Sequence, residues 1–224
     1  MLLTIDSSAG ASLALTRGET VLAAWHTEET TSHAEVLAPA LHTMLSENSV
    51  TGGDLDAIAV GAGPGPFTGL RVGLALAHSL AEAWRLPLHG LCSLDALALR
   101  AVDAGIEGEF LAATDARRRE VYWASYRNDD GDAQLVSGPH VGPPAECPAL
   151  PAVGAGAGPY PDQLRPAALA GQEPEAWTPH AAELGRLAHG ALAGELTGVL
   201  CEPRPLYLRE SDAKVPRQMR QGAS

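Results

Sequence analysis

LLTIDSSAGASLALTRGETVLAAW, Leu2–Trp25, and FLAATDARRREVYWASYRNDDGDAQLV, Phe110–Val136, carry one pattern twice. In each, an apolar strand ends on an aspartate, Asp6 or Asp115. A tight turn follows, and a second strand resumes at Ser12 or Val121. Polar turns with glycine, Arg17-Gly18-Glu19 and Asn128-Asp129-Asp130-Gly131, then lead into a third strand. Such turns between alternating apolar runs are hairpin signals.

The echo continues downstream. Ala57-Ile58-Ala59-Val60 runs into Gly61-Ala62-Gly63-Pro64-Gly65, and Ala152-Val153 runs into Gly154-Ala155-Gly156-Ala157-Gly158-Pro159. Each half therefore reads as three meandering strands, a helical link, and a further buried strand ending in a glycine turn. The pattern predicts a duplicated α/β fold with halves at 1–106 and 107–224, broken near Gly105–Gly108. The second half lacks the long helix that follows the first glycine turn. Residues 145–174, dense in Pro, Gly and Ala, read as loop.

The 224 residues are 46% hydrophobic, enough for a substantial core, but only 4% aromatic, so Leu, Ala and Val must do the packing. A net charge of −12 repels phosphate backbones outside local basic patches. One basic cluster is the tail, Lys214, Arg217 and Arg220; another, Arg117-Arg118-Arg119, reads as neutralising Asp115. Cys92, Cys147 and Cys201 form no CxxC pair, which points to a reducing, cytoplasmic setting. The opening residues MLLTIDSSAG read as a strand rather than a leader. The apolar run Val72–Trp84 is too short to span a bilayer, so no membrane role is expected.

Ser32-His33-Ala34-Glu35 is a capping box. It opens a helix with Val36, Leu37, Ala40, Leu41, Met44 and Leu45 on one stripe, and Pro39 is expected to kink it. A second helix runs from Thr68 to Trp84, apolar nearly all round, with Gly69, Gly73, Ala77 and Ala81 lining one side. That small-residue side admits another helix at short range, from this chain or from a partner. A third helix spans Ser93–Val102. Thr178-Pro179 opens a last one, with Leu184, Leu187, Ala188, Ala191 and Leu192 on one face.

Catalytic signatures are sparse. The eight histidines never fall three or four apart, so no pair shares a helix face at metal-ligand spacing, and no metal site is expected. GxSxG, GxxxxGK[ST] and GxGxxG are all missing. The loop Gly61–Pro66 is open to two readings. Its N–H groups, Gly63 and Gly65 among them, could hold an anion ahead of a helix, but Pro64 and Pro66 remove two donors. A rigid turn that docks the helix is the other. Likewise Asp6 and Asp115 could face a shared cleft and contact a cation or nucleotide, or each could cap its own turn.

GPGPFTGLRVGLALA, SHAEVLAPAL, the Asp6-Ser7-Ser8 turn, SLDALA, DARRREVYWASY and PLYLR together resemble the TsaB family, also called YeaZ, from Met1 to about Asp212. The resemblance implies the duplicated actin-like, Hsp70-like and sugar-kinase-like (ASKHA) fold, in agreement with the repeat. It also implies a non-catalytic subunit with no cofactor of its own, ATP entering only at an interface with partners. Its partners would be the catalytic subunit TsaD, the ATPase TsaE and, without TsaD, a second copy; tRNA would be met indirectly. The reaction served is transfer of threonylcarbamoyl to the tRNA adenosine beside the anticodon.

The pairing surface so implied comprises His33, Val36, Leu37, Ala40, Leu41 and Met44 on the first helix and Leu70, Gly73, Leu74 and Ala77 on the second. Cys92-Ser93-Leu94-Asp95 stands where TsaD-like chains carry a histidine pair. Pro66 stands where most relatives have Ser, which weakens a nucleotide role for the loop. Alternatives are an ATP-dependent phosphotransferase of the same fold using Asp6 and Asp115, and a protease acting on TsaD.

Overall fold

The computed structural model describes residues 1–27 and 33–209. Strands β1 (Leu2–Asp6), β2 (Ala11–Arg17) and β3 (Thr20–Thr27) form the expected meander. Helix α1 (His33–Glu47) and strand β4 (Ala57–Gly61) follow; β4 lies parallel to β1. Helix α2 (Phe67–Trp84), strand β5 (Leu88–Leu91) and helix α3 (Ser93–Asp103) complete the first half. The second half repeats the meander as β6 (Glu109–Asp115), β7 (Val121–Asp129) and β8 (Asp132–Gly142), with β9 (Ala152–Val153) parallel to β6. Helix α4 (Ala181–Ala193) and strand β10 (Leu200–Cys201) close the described chain.

The sheet orders carry the duplication. One sheet runs β10-β5-β4-β1-β2-β3 and the other β8-β7-β6-β9. Within the first, β3-β2-β1-β4 has the same order and sense as β8-β7-β6-β9 in the second. Even the registers match: Asp6 faces Ser12 at the end of β1, and Asp115 faces Val121 at the end of β6.

β1 is buried on both faces, and alternation divides its side chains. Leu3 and Ile5 enter a core with Leu37, Leu41, Met44, Leu70 and Leu74 under α1 and α2. Leu2 enters a second core with Leu184, Leu187 and Ala188 of α4. Gly185 lets α4 sit close, since a Cβ there would lie 2.8 Å from Thr16 Oγ1 and 2.9 Å from Thr4 Oγ1.

The helices are exchanged between halves. α3 packs Leu94, Leu97 and Ala101 against Phe110, Tyr126 and Val153 of the second sheet. α4 and β10, from the second half of the chain, complete the first sheet's layers. An apolar stripe reports that a helix has a buried face, not which sheet receives it.

Other expectations need adjustment. The helix assignment runs unbroken through Pro39. Ser32 of the capping box and the tail residues Lys214, Arg217 and Arg220 lie outside the described residues. Pro179 is not the first residue of α4: His180 is the N-cap, and the buried Ser12 Oγ accepts from Ala181 N at 2.9 Å. Among the described residues no helix is long and apolar enough to cross a membrane.

Candidate functional site

Asp6, at the C-terminal end of β1, is 1% exposed. Its Oδ1 accepts from Ser8 N at 2.9 Å and Ser8 Oγ at 2.7 Å, and its Oδ2 accepts from Ser93 Oγ at 2.5 Å. Ser93 opens α3, accepts from Gly63 N at 3.2 Å, and donates its own N–H to Gly63 O at 2.7 Å. A side chain at Gly61 would run into the Asp6 carboxylate, and a Cβ at Gly65 would lie 2.5 Å from Ser8 O. Gly63 has φ +100, open to glycine. The aspartate thus pins its own turn, the glycine loop and the head of α3 together, enclosed by protein.

Asp115, its counterpart, is partly exposed; it accepts from Arg117 N at 2.8 Å and pairs with the Arg117 guanidinium at 3.3 Å. It caps its own turn. Among the described residues no group of three or more metal-ligating side chains is brought together. Asp6, Gly63 and Gly65, suggested above for a nucleotide or cation, here make contacts within the chain.

Sequence reasoning overlooked Ser93 and Ser7. Ser7 Oγ donates to Gly69 O at 2.8 Å and accepts from Gly73 N at 3.1 Å, stitching α2 to the end of β1. The Asp-Ser-Ser triplet after a strand was the visible signal for Ser7; nothing local marked Ser93.

One more buried carboxyl lies beside the clip. Asp95 Oδ1 accepts from Tyr126 OH at 2.7 Å. Burial raises the Asp95 carboxyl to about 6, opposed by that hydrogen bond. Burial likewise pushes the neighbouring Cys92 thiol up, as does the Asp95 charge.

The residues assigned to partner contact differ in burial. Leu37, Leu41, Met44, Leu70, Leu74 and Ala77 are each at most 5% exposed, inside the chain's own core. Gly73 is buried too, and a side chain there would strike Ser7 Oγ. Gly73 of α2 serves close approach to the end of the chain's own β1, because Ile5 and Ser7 occupy the space a side chain would need. Val36 and Ala40 are half-buried; the side chain of His33 is outside what is described.

The outward side of the same two helices is different. Phe67, Thr68, Arg71, Val72, Ala75 and Leu76 of α2 face Leu37 and Ala38 of α1 across a groove of about 440 Å³. Phe67 is 53% exposed. One end is built by the chain segment after β10. Tyr207 stacks on Phe67 with ring centroids 5.3 Å apart and its hydroxyl accepts from Arg71 Nε at 3.0 Å, while Arg71 sits 3.5 Å over the Phe67 ring. The segment is held by Leu206 N donating to Ala62 O at 2.8 Å, by a His78 Nε2–Pro203 O hydrogen bond of 2.7 Å, and by the Arg209–Glu120 ion pair.

The two-sheet repeat, with matched strand order and an aspartate closing the first strand of each, defines a duplicated α/β protein. A solved structure of YeaZ from Pseudomonas aeruginosa superposes with a TM-score of 0.76 at 32% identity, covering 92% of this chain and 99% of that one. Residues 27–173 match the family model described as TsaD: tRNA N6-adenosine threonylcarbamoyltransferase. An uncharacterised protein of Mycobacterium tuberculosis (strain H37Rv) is 40% identical over 191 residues, 84% of this chain and 80% of that one. The tRNA threonylcarbamoyladenosine biosynthesis protein TsaB of Escherichia coli (strain K12) is 38% identical over 98 residues, 44% of this chain and 42% of that protein. The chain belongs to the TsaB (YeaZ) family of tRNA threonylcarbamoyladenosine biosynthesis.

Proposed function

We propose that this chain is a non-catalytic subunit in threonylcarbamoyladenosine formation. It docks a TsaD-type transferase, works beside a TsaE-type ATPase in the cytoplasm, and pairs with a second copy of itself when the transferase is absent. It needs no cofactor of its own; ATP enters only where partners meet, and tRNA is reached through the complex.

The observation that carries this reading is the exposed apolar groove between α1 and α2. Ala38 and Ala75 leave the helix backbones accessible, Leu76 and Val72 supply apolar area, and the Phe67–Arg71–Tyr207 stack gives a rigid aromatic and guanidinium anchor. Aromatic and arginine anchors of this kind dominate binding energy at protein interfaces. The interior side of these helices gives the groove a fixed floor rather than the contact itself. Sequestration of Asp6 among Ser8, Ser93 and Gly61 supports the absence of a phosphotransferase step, since a reacting phosphate would have to displace hydrogen bonds that hold the fold.

The test is association. The chain and a TsaD-type transferase should co-elute in size exclusion at micromolar concentration. Ala75→Glu, at an exposed helix position, should weaken association at least tenfold by titration calorimetry while leaving the melting temperature within a degree or two. Co-elution unchanged by that charge would mean the groove is not the docking surface.

A further inference from the structure

We propose that the groove between α1 and α2 receives a helical segment of the transferase that brings an aspartate or glutamate to Arg71, and that this charge pair selects the transferase over a second copy of this chain. The inference deepens the docking role proposed above and rests on it.

An apolar groove between two helices is a shape that takes a third. Among the described residues that line this one, Arg71 alone is charged. It is exposed, yet held in place. Its guanidinium carbon sits 3.5 Å from the centre of the Phe67 ring and 6.0 Å from that of Tyr207, and its Nε donates to the Tyr207 hydroxyl at 3.0 Å. Tyr207 is fixed in turn: it stacks on Phe67, and Leu206 N beside it donates to Ala62 O at 2.8 Å. The guanidinium is therefore positioned before any partner arrives, so little side-chain freedom is left to lose on binding.

What Arg71 lacks is a counter-charge. Among the described residues no carboxylate pairs with it, and its two terminal nitrogens have no hydrogen-bond partner. Acidic groups are not scarce, at 27 against 15 basic ones, and Arg127, Arg186, Arg204 and Arg209 each meet one. A helix seated on the apolar lining strips water from the free N–H groups, and a guanidinium buried without an acceptor costs affinity. The occupant must supply that acceptor. The planar fork matches the two oxygens of a carboxylate. Elsewhere the net charge of −12 repels an acidic group, so a carboxylate is favoured at this point and sets the register of the docked segment.

The same charge disfavours self-pairing. The described lining of a second copy's groove carries Arg71 again and no carboxylate, so two grooves laid together set like charge against like.

The experiment is titration calorimetry of the full chain with a TsaD-type transferase at about 50 and about 500 mM salt. Arg71→Gln keeps a donor for Tyr207 and removes the charge. It should bind about tenfold more weakly at low salt and lose most of the salt dependence. Arg71→Lys, a point charge without the fork, should fall between and keep the salt dependence. Arg71→Glu should bind about a hundredfold more weakly, and changing the transferase's exposed carboxylates to arginine one at a time should find one that restores its binding. Self-association of Arg71→Gln, by sedimentation equilibrium, should be unchanged or tighter.

Unaltered affinity and salt dependence in Arg71→Gln overturn the proposal, as does a failure of every charge reversal to rescue Arg71→Glu. Equal loss of self-association overturns it too, since Arg71 would then only shape the groove. If the unaltered chain does not bind the transferase, this inference and the docking role fall together. If Ala75→Glu abolishes binding while Arg71→Gln preserves it, the docking role stands and the charge pair alone is removed.

Discussion

Asp6 and Asp95 show how differently two buried aspartates behave. Asp6 is surrounded by donors, among them Ser8 N, Ser8 Oγ and Ser93 Oγ. Asp95 has one, the Tyr126 hydroxyl, and burial holds its carboxyl at about 6 against an ordinary 3.8. Between those values the folded chain keeps a proton that the unfolded chain has released. Its contribution to stability is therefore complete below pH 3.8 and is lost as pH rises through 6. Above that, holding the charge inside costs of order 2 kcal/mol. Asp95→Asn keeps an acceptor for Tyr126 and removes the charge. The variant should melt about 4–8 °C higher at pH 7.5 and about equally at pH 4, read by calorimetry. A variant no more stable than the parent at pH 7.5 would show that solvent reaches the carboxylate. Neither environment was legible in the sequence. Ser93 lies 87 positions from Asp6 and Tyr126 lies 31 from Asp95, and a strand-end aspartate looks the same whether it caps a turn, binds a cation or clips a helix.

At the scale of elements, periodicity located helices well and their receivers poorly. The apolar stripes of α1 and α2 were evident from spacing, yet Leu37, Leu41, Leu70 and Leu74 turn inward, and Gly73 of α2 faces the end of the chain's own β1. A stripe satisfied by a partner and one satisfied by a sheet have the same period; only the position of Ser7 and Ile5 decides between them. The start of α4 carries a similar lesson. Thr178-Pro179 had the composition of a helix start, but the donor Ala181 N is met by Ser12 Oγ, 169 residues earlier. This long-range cap is testable. Ser12 is 2% exposed, so Ser12→Ala leaves a buried N–H without its acceptor. The variant should lose about 1–2 kcal/mol in denaturant unfolding, while Ser12→Thr retains the hydroxyl and most of the stability. A loss below a few tenths would mean that the head of α4 finds another acceptor.

At the scale of the molecule, the duplication was readable because both halves spell the meander with the same turn chemistry, and the matched registers at Asp6 and Asp115 bear it out. The exchange of helices was not, because the sequence places α3 in the first half and α4 in the second while packing reverses them. This exchange has a thermodynamic consequence. Fragment 1–106 would carry α3 without Phe110, Tyr126 and Val153 to cover it, and its sheet would lack Leu184, Leu187 and Ala188. Fragment 107–224 would expose Phe110 and Tyr126, both at most 1% exposed in the whole chain. The Tyr126–Asp95 hydrogen bond and the Ser12 cap on Ala181 N would also be cut. Each fragment loses one complete face of its sheet, and no short sheet stands with an apolar face in water. The whole chain is therefore expected to unfold as one cooperative unit, with far-ultraviolet dichroism and tryptophan fluorescence tracing the same transition. Trp25 and Trp84 report on the first sheet, Trp123 and Trp177 on the second, so both regions are sampled. Neither fragment alone should give a sigmoidal melt, and mixing them should restore one. Two separate transitions in the intact chain, or a cooperative melt from residues 1–106 alone, would show that the helix exchange decorates two autonomous domains rather than joining them.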